Sequence, residues 1–413
     1  MPTTHVWPRH LKEVLLPHPL YKSPLCDDAA LCYTAAMKRA FLFCAATLMG
    51  SAALAASEIR SGELWRDTTG HVINAHGGGM MYDNGTYWWY GEHKVYGRAG
   101  NRAHVGVHAY SSANLIDWDD RGIALAVTDA PGGIEDGCIL ERPKVVRNAK
   151  TGKYVMFFHL ELKGKGYSAA RTGIAVADRP EGPFTFLRSL RPNAGDWPTD
   201  VRPDEQTPEA LAKSHQLGDE SGGPNDRVRA NIPYLGHLAD GQMARDMTLF
   251  VDDDGTAYHV FASEYNSTLH VAELSDDYLS YSGRWFRVAE KEWTEAPALC
   301  KWGGYYWLIG SGCTGWKPNA ARLYRAAKLE GPWTNLGNPC KGVNPQNGDG
   351  PERTWGAQST YIQPIAGKPG RFMAMFDIWR PENQIDSRYV WLPITFTGDT
   401  LEIVWRDAWT PDE

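Results

Sequence analysis

The chain contains the stretch Gly85-Thr86-Tyr87-Trp88-Trp89-Tyr90, in which a turn glycine opens a run of strand-forming aromatic residues. Four later stretches repeat this signal: Gly152-Lys153-Tyr154-Val155-Met156-Phe157, Gly255-Thr256-Ala257-Tyr258-His259-Val260, Gly304-Tyr305-Tyr306-Trp307-Leu308-Ile309 and Gly370-Arg371-Phe372-Met373-Ala374-Met375. Asn84-Gly85 and Asp254-Gly255 favour the positive φ angles of tight hairpins. Strand, turn and strand units that recur along one chain are typical of a β-propeller. The sequence therefore predicts an all-β fold, a five-bladed β-propeller.

A lone polar residue stands nine to twelve positions before each of these glycines. The five residues are His76, Glu141, Asp246, Glu295 and Gln358. The first strand of each blade lines the central axis of a propeller, so side chains at one blade position converge on a single pocket. Three of the five are carboxyl groups, which is the arrangement expected for cleavage of a glycosidic bond.

A second element follows most of the hairpins, for example Gly182-Pro183-Phe184 and Gly331-Pro332-Trp333. We interpret it as the loop and outer strand that complete a blade. Residues 390–394 and 401–405 are predicted to form the last strands and, with the N-terminal segment, to close the ring.

Composition is consistent with one large β domain. The 413 residues include 17 Trp, 19 Tyr and 42 Gly, which suits short strands, tight turns and stacking of aromatic rings on sugars. A formal net charge of −7 without a basic run argues against a nucleic-acid partner. Sequence motifs of serine hydrolases, zinc proteases and nucleotide-binding loops were not found. We expect a monomer that binds polysaccharide or oligosaccharide, without a membrane span, a metal or a cofactor.

The N-terminal region has the features of a targeting segment. Met37-Lys38-Arg39 precedes an apolar run at 40–54, and Ala53-Leu54-Ala55 supplies small residues for signal peptidase. The run is too short to span a membrane. We therefore predict upstream translation without a fold at 1–36, a signal peptide at 37–55 and the catalytic propeller at 56–413, with a periplasmic or secreted location.

Four cysteines follow this segment: Cys138, Cys300, Cys313 and Cys340. In an exported protein they could form two disulfides in three possible connectivities. Free buried thiols are equally compatible with a domain of this size.

Residues 193–241 interrupt the regular spacing of the blades with a polar segment rich in Pro and Gly, in which a short helix is possible near Pro208. Long connections in compact domains are usually functional or disordered. Because this one leads directly into the strand of Asp246, we expect it to lie over the pocket mouth and shape the substrate site. An inert insertion is the alternative.

The local sequence suggests a role for each carboxyl group. Glu295 precedes an apolar strand, where partial desolvation would raise its pKa and keep it protonated, as a general acid requires. Asp246 could tune that acid and hold the sugar. Glu141 is followed by Arg142 and Lys144, two cations that should favour its charged form for hydrogen bonding to sugar hydroxyls.

Five ordered motifs make the chain resemble glycoside hydrolase family 43 and, within it, the exo-β-1,3-galactanase group. They are Glu141-Arg142-Pro143-Lys144, Arg245-Asp246-Met247-Thr248-Leu249-Phe250 with the following Asp-rich turn, Glu295-Ala296-Pro297-Ala298, Ser311-Gly312-Cys313-Thr314-Gly315-Trp316 and Gln358-Ser359-Thr360. The resemblance covers about residues 70–409.

This resemblance implies a five-bladed propeller that hydrolyses glycosides with inversion. It implies Glu295 as the acid, Asp246 as its supporting carboxylate, Glu141 as a substrate-binding residue and Gln358 in place of the base. His76 stands where most of the family has an Asp base, a departure typical of the galactanase group. Gln358 could position a water or act through an imidic acid tautomer, and both remain open. We also predict that three further residues bind the substrate: His76, Trp316 and Asn319.

The expected activity is exo-acting release of galactose from the β-1,3-galactan backbone of arabinogalactan. The alternatives are an exo-acting arabinofuranosidase or galactofuranosidase, and a sugar-binding propeller without catalysis. For inversion, we expect the acid and Gln358 to face each other across the axis with water between them, about 6.5–9.5 Å apart.

Overall fold

The computed structural model describes residues 58–128, 133–210, 212 and 234–413. These residues fall within one compact unit, residues 53–413. The predicted upstream segment at 1–36 and signal peptide at 37–55 lie outside the described residues. Among the residues described, no helix is long and apolar enough to cross a membrane.

Five sheets follow one another along the described chain, and four of them are antiparallel with four strands in chain order. Strand β1 (Ile59–Arg60) precedes them. Blade 1 contains β2 (His76–Asp83), β3 (Thr86–His93), β4 (Gly106–Ser112) and β5 (Asp119–Ala126); blade 2 contains β6 (Ile139–Arg147), β7 (Tyr154–Glu161), β8 (Arg171–Ala177) and β9 (Thr185–Leu190); blade 3 contains β10 (Met247–Val251), β11 (Ala257–Ser263), β12 (Thr268–Leu274) and β13 (Tyr281–Val288); blade 4 contains β14 (Thr294–Trp302), β15 (Tyr305–Gly312), β16 (Arg322–Ala326) and β17 (Thr334–Gly337); blade 5 contains β18 (Cys340–Lys341), β19 (Gln358–Pro364), β20 (Phe372–Ile378), β21 (Arg388–Thr397) and β22 (Thr400–Val404); β23 (Ala408–Trp409) ends the chain.

The first strands of the blades form a closed ring. Strands β2, β6, β10, β14 and β19 each contact the next, and β19 contacts β2. The predicted five-bladed propeller is therefore confirmed. His76 and Gln358 are the first residues of their inner strands, and Asp246 lies immediately before β10. The lone polar residues thus all lie where an inner strand begins.

Apolar side chains pack between neighbouring blades, with one cluster at each of the five interfaces. Leu140 of blade 2 packs against blade 1, and Met247 of blade 3 packs against blade 2. The ring closes through the cluster in which Trp89 of blade 1 packs on Trp391 of blade 5, with ring centroids 4.6 Å apart. The aromatic strand signals in the sequence are therefore mainly core residues that hold the blades together.

The ends of the described chain meet beside blade 5. The predicted last strands are confirmed as β21 and β22, and both belong to blade 5. Strand β1 pairs with β23 in a separate two-stranded sheet, with Ile59 opposite Trp409. Strand β18, which was not predicted, adds to blade 5 by pairing in parallel with β22.

The long segment at 193–241 is only partly described. It contains two 3-10 helices, Pro203–Glu205 and Leu235–His237, and residues 208–210 are helical. Val201, Tyr234 and Leu238 are buried in the cluster between blades 2 and 3. None of the described residues of this segment lines the central cavity. Residues 213–233 lie outside the described part, so the predicted cover over the pocket stays a prediction.

The remaining 3-10 segments are Glu264–Asn266, Pro351–Gly356 and Gln384–Asp386. The four cysteines of the described chain are free thiols, and three of them are buried. Of the two alternatives that the sequence left open, the structure therefore has the free thiols.

Candidate active site

Irregular backbone turns two of the carboxyl groups towards the axis. The pairing of β6 with β7 shifts register after Glu141, and the pairing of β14 with β15 shifts after Glu295. The next residues, Arg142 and Ala296, have φ angles of 57° and 53°, and a proline follows each of them. Proline has no N–H to donate to the sheet. Such bulges bend a strand and re-aim its side chains, which suits residues that must face a site rather than the core.

A cavity of about 300 Å³ lies where the inner strands begin. Of the seven residues predicted for the site, five line it: Glu141, Asp246, Glu295, Trp316 and Gln358. The other lining residues are Glu92, Asn101, Arg142, His159, Tyr167, Arg245, Asn266, Gly315 and Trp379. The propeller thus brings together polar groups from all five blades.

Glu295 occupies the wall between blades 3 and 5. Its Oε1 accepts a hydrogen bond from Gln358 Nε2 at 3.1 Å, and its Oε2 accepts one from Asn266 Nδ2 at 3.3 Å. Burial, followed by the negative charge of Asp246, raises the pKa of Glu295 to about 8. The carboxyl group is therefore protonated at neutral pH, the state in which it can donate a proton.

Arg142 connects the two neighbours of Glu295. Its Nη2 donates to Asp246 Oδ2 at 3.0 Å and to Gln358 Oε1 at 2.6 Å, and its Nη1 donates to the carbonyl of Ser359 at 3.2 Å. The side chain starts on blade 2 and is almost completely buried. One guanidinium thus ties blade 2 to blades 3 and 5 in the wall of the cavity.

Glu141 is bound by two donors. His159 Nδ1 lies 2.9 Å from Glu141 Oε2, and Tyr167 Oη donates to Oε1 at 2.8 Å. Burial opposes ionisation of Glu141, but the hydrogen bond and charge of His159, helped by Lys94, outweigh it and lower the pKa of Glu141 to about 2. Glu141 is charged, as expected from the sequence.

The largest causes of this charge differ from those that the sequence suggested. Arg142 turns away to Asp246 and Gln358, and Lys144 Nζ donates to the backbone carbonyls of Gly77 and Arg142 at 3.1 and 3.3 Å. The hydrogen-bond donors of Glu141 are therefore His159 and Tyr167 rather than the two cations that follow it in the sequence.

The charge on His159 also bears on metal binding. Ligand atoms of Glu141, His159 and Asp246 lie within 4.8 Å of one another, close enough to surround an ion. Both ring nitrogens of His159 are already bound to carboxylates, Glu141 at 2.9 Å and Glu161 at 3.0 Å. Burial opposes the charge of His159, but these two bonds raise its pKa to about 9. An imidazolium has no lone pair to offer, so this cluster is suited to sugar hydroxyls rather than to a cation.

The prediction that His76 binds substrate needs correction. Its side chain is completely buried and does not line the cavity. The ring stacks on Tyr389 with centroids 4.9 Å apart, and Nδ1 lies 3.9 Å from Asp377. Burial, followed by the charge of Lys94, lowers the pKa of His76 to about 3, so the ring is neutral. Blade 5 covers this residue, which packs below the site.

The structure places Asn319 beside the site rather than in the main cavity. Its Oδ1 accepts from the Gly312 N–H at 2.7 Å, and its Nδ2 donates to the Gly312 carbonyl at 2.8 Å. These bonds close the loop that carries Trp316. Asn319 therefore supports a cavity residue, and its predicted contact with substrate stays a prediction.

One residue that sequence reasoning missed, Asn266, is delivered by a left-handed turn. Glu264, Tyr265 and Asn266 have φ angles of 48°, 60° and 68°. Each non-glycine residue in this conformation costs of order 1 kcal/mol or more, and such strain is often found at functional sites. The turn contains no glycine that would signal it in the sequence. Ser267 Oγ donates to the Glu264 carbonyl at 2.7 Å, and Arg245 Nη1 donates to Asn266 Oδ1 at 3.3 Å.

The chain is similar to known glycosyl hydrolases. The family model described as glycosyl hydrolases family 43 matches residues 230–351. The structure of the β-1,3-galactosidase BT3683 of that family, with galactodeoxynojirimycin, is 48% identical; the match covers 85% of this chain and 100% of that chain, with a TM-score of 0.77.

Two exo-β-1,3-galactanases are also similar. The enzyme 1,3Gal43A from Clostridium thermocellum is 34% identical over 85% of this chain and 66% of its own, with a TM-score of 0.67. Pc1,3Gal43A from Phanerochaete chrysosporium, whose structure contains galactose, is 29% identical over 86% of this chain and 68% of its own, also with a TM-score of 0.67. No curated protein matches the chain.

Proposed function

The chain belongs to glycosyl hydrolase family 43, and from this we propose that it is an exo-acting galactan 1,3-β-galactosidase that releases galactose from the arabinogalactan backbone. The similar enzymes named above, a β-1,3-galactosidase and two exo-β-1,3-galactanases, support this substrate. A cavity of about 300 Å³ also supports it, because that is the lower end of the range for ligand pockets and suits the end of a sugar chain.

The observation that carries the proposal is the protonated carboxyl of Glu295 in the wall of the cavity. A general acid must hold its proton until the leaving oxygen accepts it, and a pKa of about 8 meets that requirement at neutral pH. Glu141 remains charged in the same cavity. Two carboxyl groups with pKa values pushed apart are the usual arrangement for glycoside hydrolysis.

In the proposed reaction the bond between the anomeric carbon and the leaving oxygen breaks while that oxygen takes the proton of Glu295. The oxygen of one water molecule forms the new bond to the anomeric carbon. The surplus proton of that water is released to solvent, and Glu295 regains a proton before the next turnover. Removal of charge at the leaving oxygen is the contribution of the acid, typically about 10²- to 10⁴-fold in rate.

We propose substrate roles for three side chains. The carboxyl oxygens of Glu141 and Asp246 can accept hydrogen bonds from sugar hydroxyls, because both residues line the cavity. Trp316 is 43% exposed at the cavity and can stack on a sugar ring. Its ring meets Trp379 edge to face, with centroids 6.0 Å apart.

We propose that the reaction inverts the anomeric configuration, although Glu295 and Gln358 are not arranged as the sequence predicted. Gln358 Nε2 lies 3.1 Å from Glu295 Oε1, so no water fits between these two groups and they do not face each other across the axis. The order of the blades places Glu141 of blade 2 across the ring from Glu295 of blade 4. Water is therefore proposed to attack from the side of the cavity that Glu141 occupies.

Product analysis tests the proposed activity. The protein should release galactose from β-1,3-galactobiose and leave an aryl arabinofuranoside intact, and Glu295→Gln should abolish most of this turnover. Release of arabinose alone would point to the arabinofuranosidase alternative. Sugar binding without turnover of either substrate would point to a non-catalytic propeller.

We also propose that the protein is exported and acts as a monomer in the periplasm or outside the cell. The apolar run at 40–54 after Met37-Lys38-Arg39 supports export. Sequencing the N-terminus of protein recovered from the cell exterior or periplasm tests it: a start near residue 56 is expected, and a mature protein that retains residues 37–55 would contradict it.

A further inference from the structure

We propose that Glu161 is a positioning residue for the sugar-binding carboxylate Glu141, although Glu161 itself does not line the cavity. Glu161 holds the two groups that donate to Glu141, which are the ring of His159 and the loop that carries Tyr167. This inference rests on the proposed function, since it takes Glu141 as a residue that binds sugar hydroxyls.

Glu161 is the last residue of strand β7, and its side chain is completely buried. His159 lies two positions earlier on β7, so both side chains are on the same face of the sheet. Glu141 lies directly opposite His159 on β6. His159 Nδ1 is 2.9 Å from Glu141 Oε2, and Nε2 is 3.0 Å from Glu161 Oε1. The sheet therefore places one carboxylate on each side of a single imidazole ring.

The two carboxylates decide the protonation state of this ring. An imidazole can donate to both of them only when both of its nitrogens carry a proton, which is the charged form. The neutral ring has one N–H, so one carboxylate would face a lone pair. Burial opposes the charge of His159, but the bonds to Glu141 and Glu161 raise its pKa to about 9. Glu161 thus helps to keep His159 charged, and the charged ring donates to Glu141 at neutral pH.

Charged and titratable groups from three blades surround the His159 ring and its two carboxylates. They are Glu141, Glu161, Tyr167, Asp246, Lys94 and Arg191. Glu141, Tyr167 and Asp246 line the cavity, whereas Glu161 does not. Glu161 can therefore act on the sugar only through the groups that it holds.

The second oxygen of Glu161 fixes the loop between β7 and β8. Glu161 Oε2 accepts a hydrogen bond from the N–H of Ala170 at 2.8 Å. Ala170 has a φ angle of 44°, and a non-glycine residue keeps such a conformation only where its surroundings hold it. The same loop carries Tyr167, whose hydroxyl donates to Glu141 Oε1 at 2.8 Å. Both oxygens of Glu161 are thus in use, one for each donor of Glu141.

The position of this pair in the fold supports a role in the site. A buried carboxylate is costly unless it is paired, so it is a poor choice for simple packing between blades. Another buried pair, Glu264 and His270, has Oε1 and Nε2 2.9 Å apart. Glu264 begins the turn that delivers Asn266 to the cavity. Each of these two pairs is therefore next to a residue that lines the cavity.

Replacing Glu161 by Gln keeps the shape of the side chain but removes its charge and one acceptor oxygen. Glu141 and Tyr167 should then lose their fixed orientation, and sugar binding would have to restore it. Groups that bind the ground state and the transition state alike affect KM more than kcat. We expect KM for β-1,3-galactobiose to rise about 10- to 100-fold and kcat to change less than about fivefold, with galactose affinity by calorimetry falling in parallel. A lower kcat at unchanged KM would overturn the proposal.

The charge of His159 gives a second readout, which a purely structural role would not move. Ring ¹⁵N resonances distinguish an imidazolium from a neutral imidazole, and comparison with His159→Gln assigns the signal. Wild-type His159 should lose its second proton near pH 9. In Glu161→Gln this midpoint should fall by about one unit or more, whereas Glu161→Asp keeps the charge and should stay closer to wild type. A neutral ring in the wild type at pH 7, or an unmoved midpoint in Glu161→Gln, would overturn the proposal.

Asp178→Asn is a matched control, because it removes the same charge from an exposed position on the same blade. Asp178 follows β8 beside the start of β7, and the two ends of β7 are about 23 Å apart. This variant should leave KM and the His159 midpoint unchanged, and thermal melting checks that each variant folds.

The proposed function and the role of Glu161 can fail separately. Wild-type protein that binds galactose but leaves β-1,3-galactobiose intact would overturn the proposed function, and the His159 midpoints would still decide the role of Glu161. Active wild-type protein with an unmoved KM and midpoint in Glu161→Gln would overturn only the role of Glu161.

Discussion

Replacing Asp246 by Asn should move the alkaline side of the pH profile to lower pH. Glu295 must be protonated to act, so kcat/KM should fall as pH rises through its pKa of about 8. Burial is the larger cause of that raised pKa, and the negative charge of Asp246 is the next. Without this charge, Glu295 ionises more easily and its pKa falls. Asn keeps the shape and can still accept from Arg142.

The size of the movement follows from the charge that is removed. A single nearby charge is worth on the order of one pKa unit or more, or about 1.4 kcal/mol. The midpoint should therefore move from near pH 8 to near pH 7. At pH 6 both proteins hold a protonated Glu295, whereas at pH 9 the fraction of activity that the variant retains should be about a tenth of the fraction that the wild type retains.

The assay is the pH dependence of kcat/KM on β-1,3-galactobiose, with each rate normalised to pH 6. Asp252→Asn is a matched control, because it removes the same charge at the far end of the same strand. That position is about 20 Å from Asp246 along an extended strand. An alkaline midpoint that stays near pH 8 in Asp246→Asn, or one that moves equally in the control, would refute the reasoning.

Three further predictions concern Glu295 and the configuration of the product. Glu295→Gln should lower kcat by about 10²- to 10⁴-fold without loss of sugar affinity, and binding and rate measurements would reject the acid role if activity stayed within a few-fold. The same variant should melt at a higher temperature than wild type at pH 8 and at the same temperature at pH 4. The pKa of Glu295 is raised to about 8 in the folded wild type, whereas in the unfolded chain this group ionises above about pH 4.5. The free energy of unfolding of the wild type should therefore decrease as pH rises from about 4.5 to 8. Equal melting temperatures of wild type and variant at both pH values would count against the raised pKa. Proton NMR of the first product should show the inverted α-anomer of galactose, and a retained β-anomer would contradict direct attack by water.

The blades could be predicted because their signals are local. Asn84 and Gly85 adopt φ angles of 49° and 83° in the turn between β2 and β3, as the Asn-Gly pair suggested. Gly255 has a φ angle of 85° in the corresponding turn of blade 3. Each hairpin fixes the strand before it, and each inner strand carries its polar residue at its beginning. Local turn chemistry was therefore sufficient to place Glu141 and Glu295 on inner strands.

The network around these carboxyl groups could not be predicted, because it depends on how the blades close. Arg142 reaches residues more than a hundred positions away on blades 3 and 5, and no spacing in the sequence indicates that reach. Trp379 lies just after β20 and contacts Gln358 only because two strands of blade 5 pair. His76 occupies the expected blade position, yet Tyr389 and Asp377 of the neighbouring blade bury it. These contacts depend on which blades become neighbours in the closed propeller, and the spacing of residues along the chain does not indicate them.

The pairing of β1 with β23 leaves the two ends of the described domain side by side. Ser61 N–H donates to the Asp407 carbonyl at 3.1 Å, and Trp409 Nε1 donates to the Trp391 carbonyl at 2.7 Å. All five blades lie between these two strands in the chain. A circularly permuted protein, joined by a short linker after β23 and opened at the Asn84-Gly85 turn, would therefore retain every inner strand and every interface. Its new termini would lie at the end of β2 remote from the cavity, so tags or fused binding modules could be attached there without approaching the sugar.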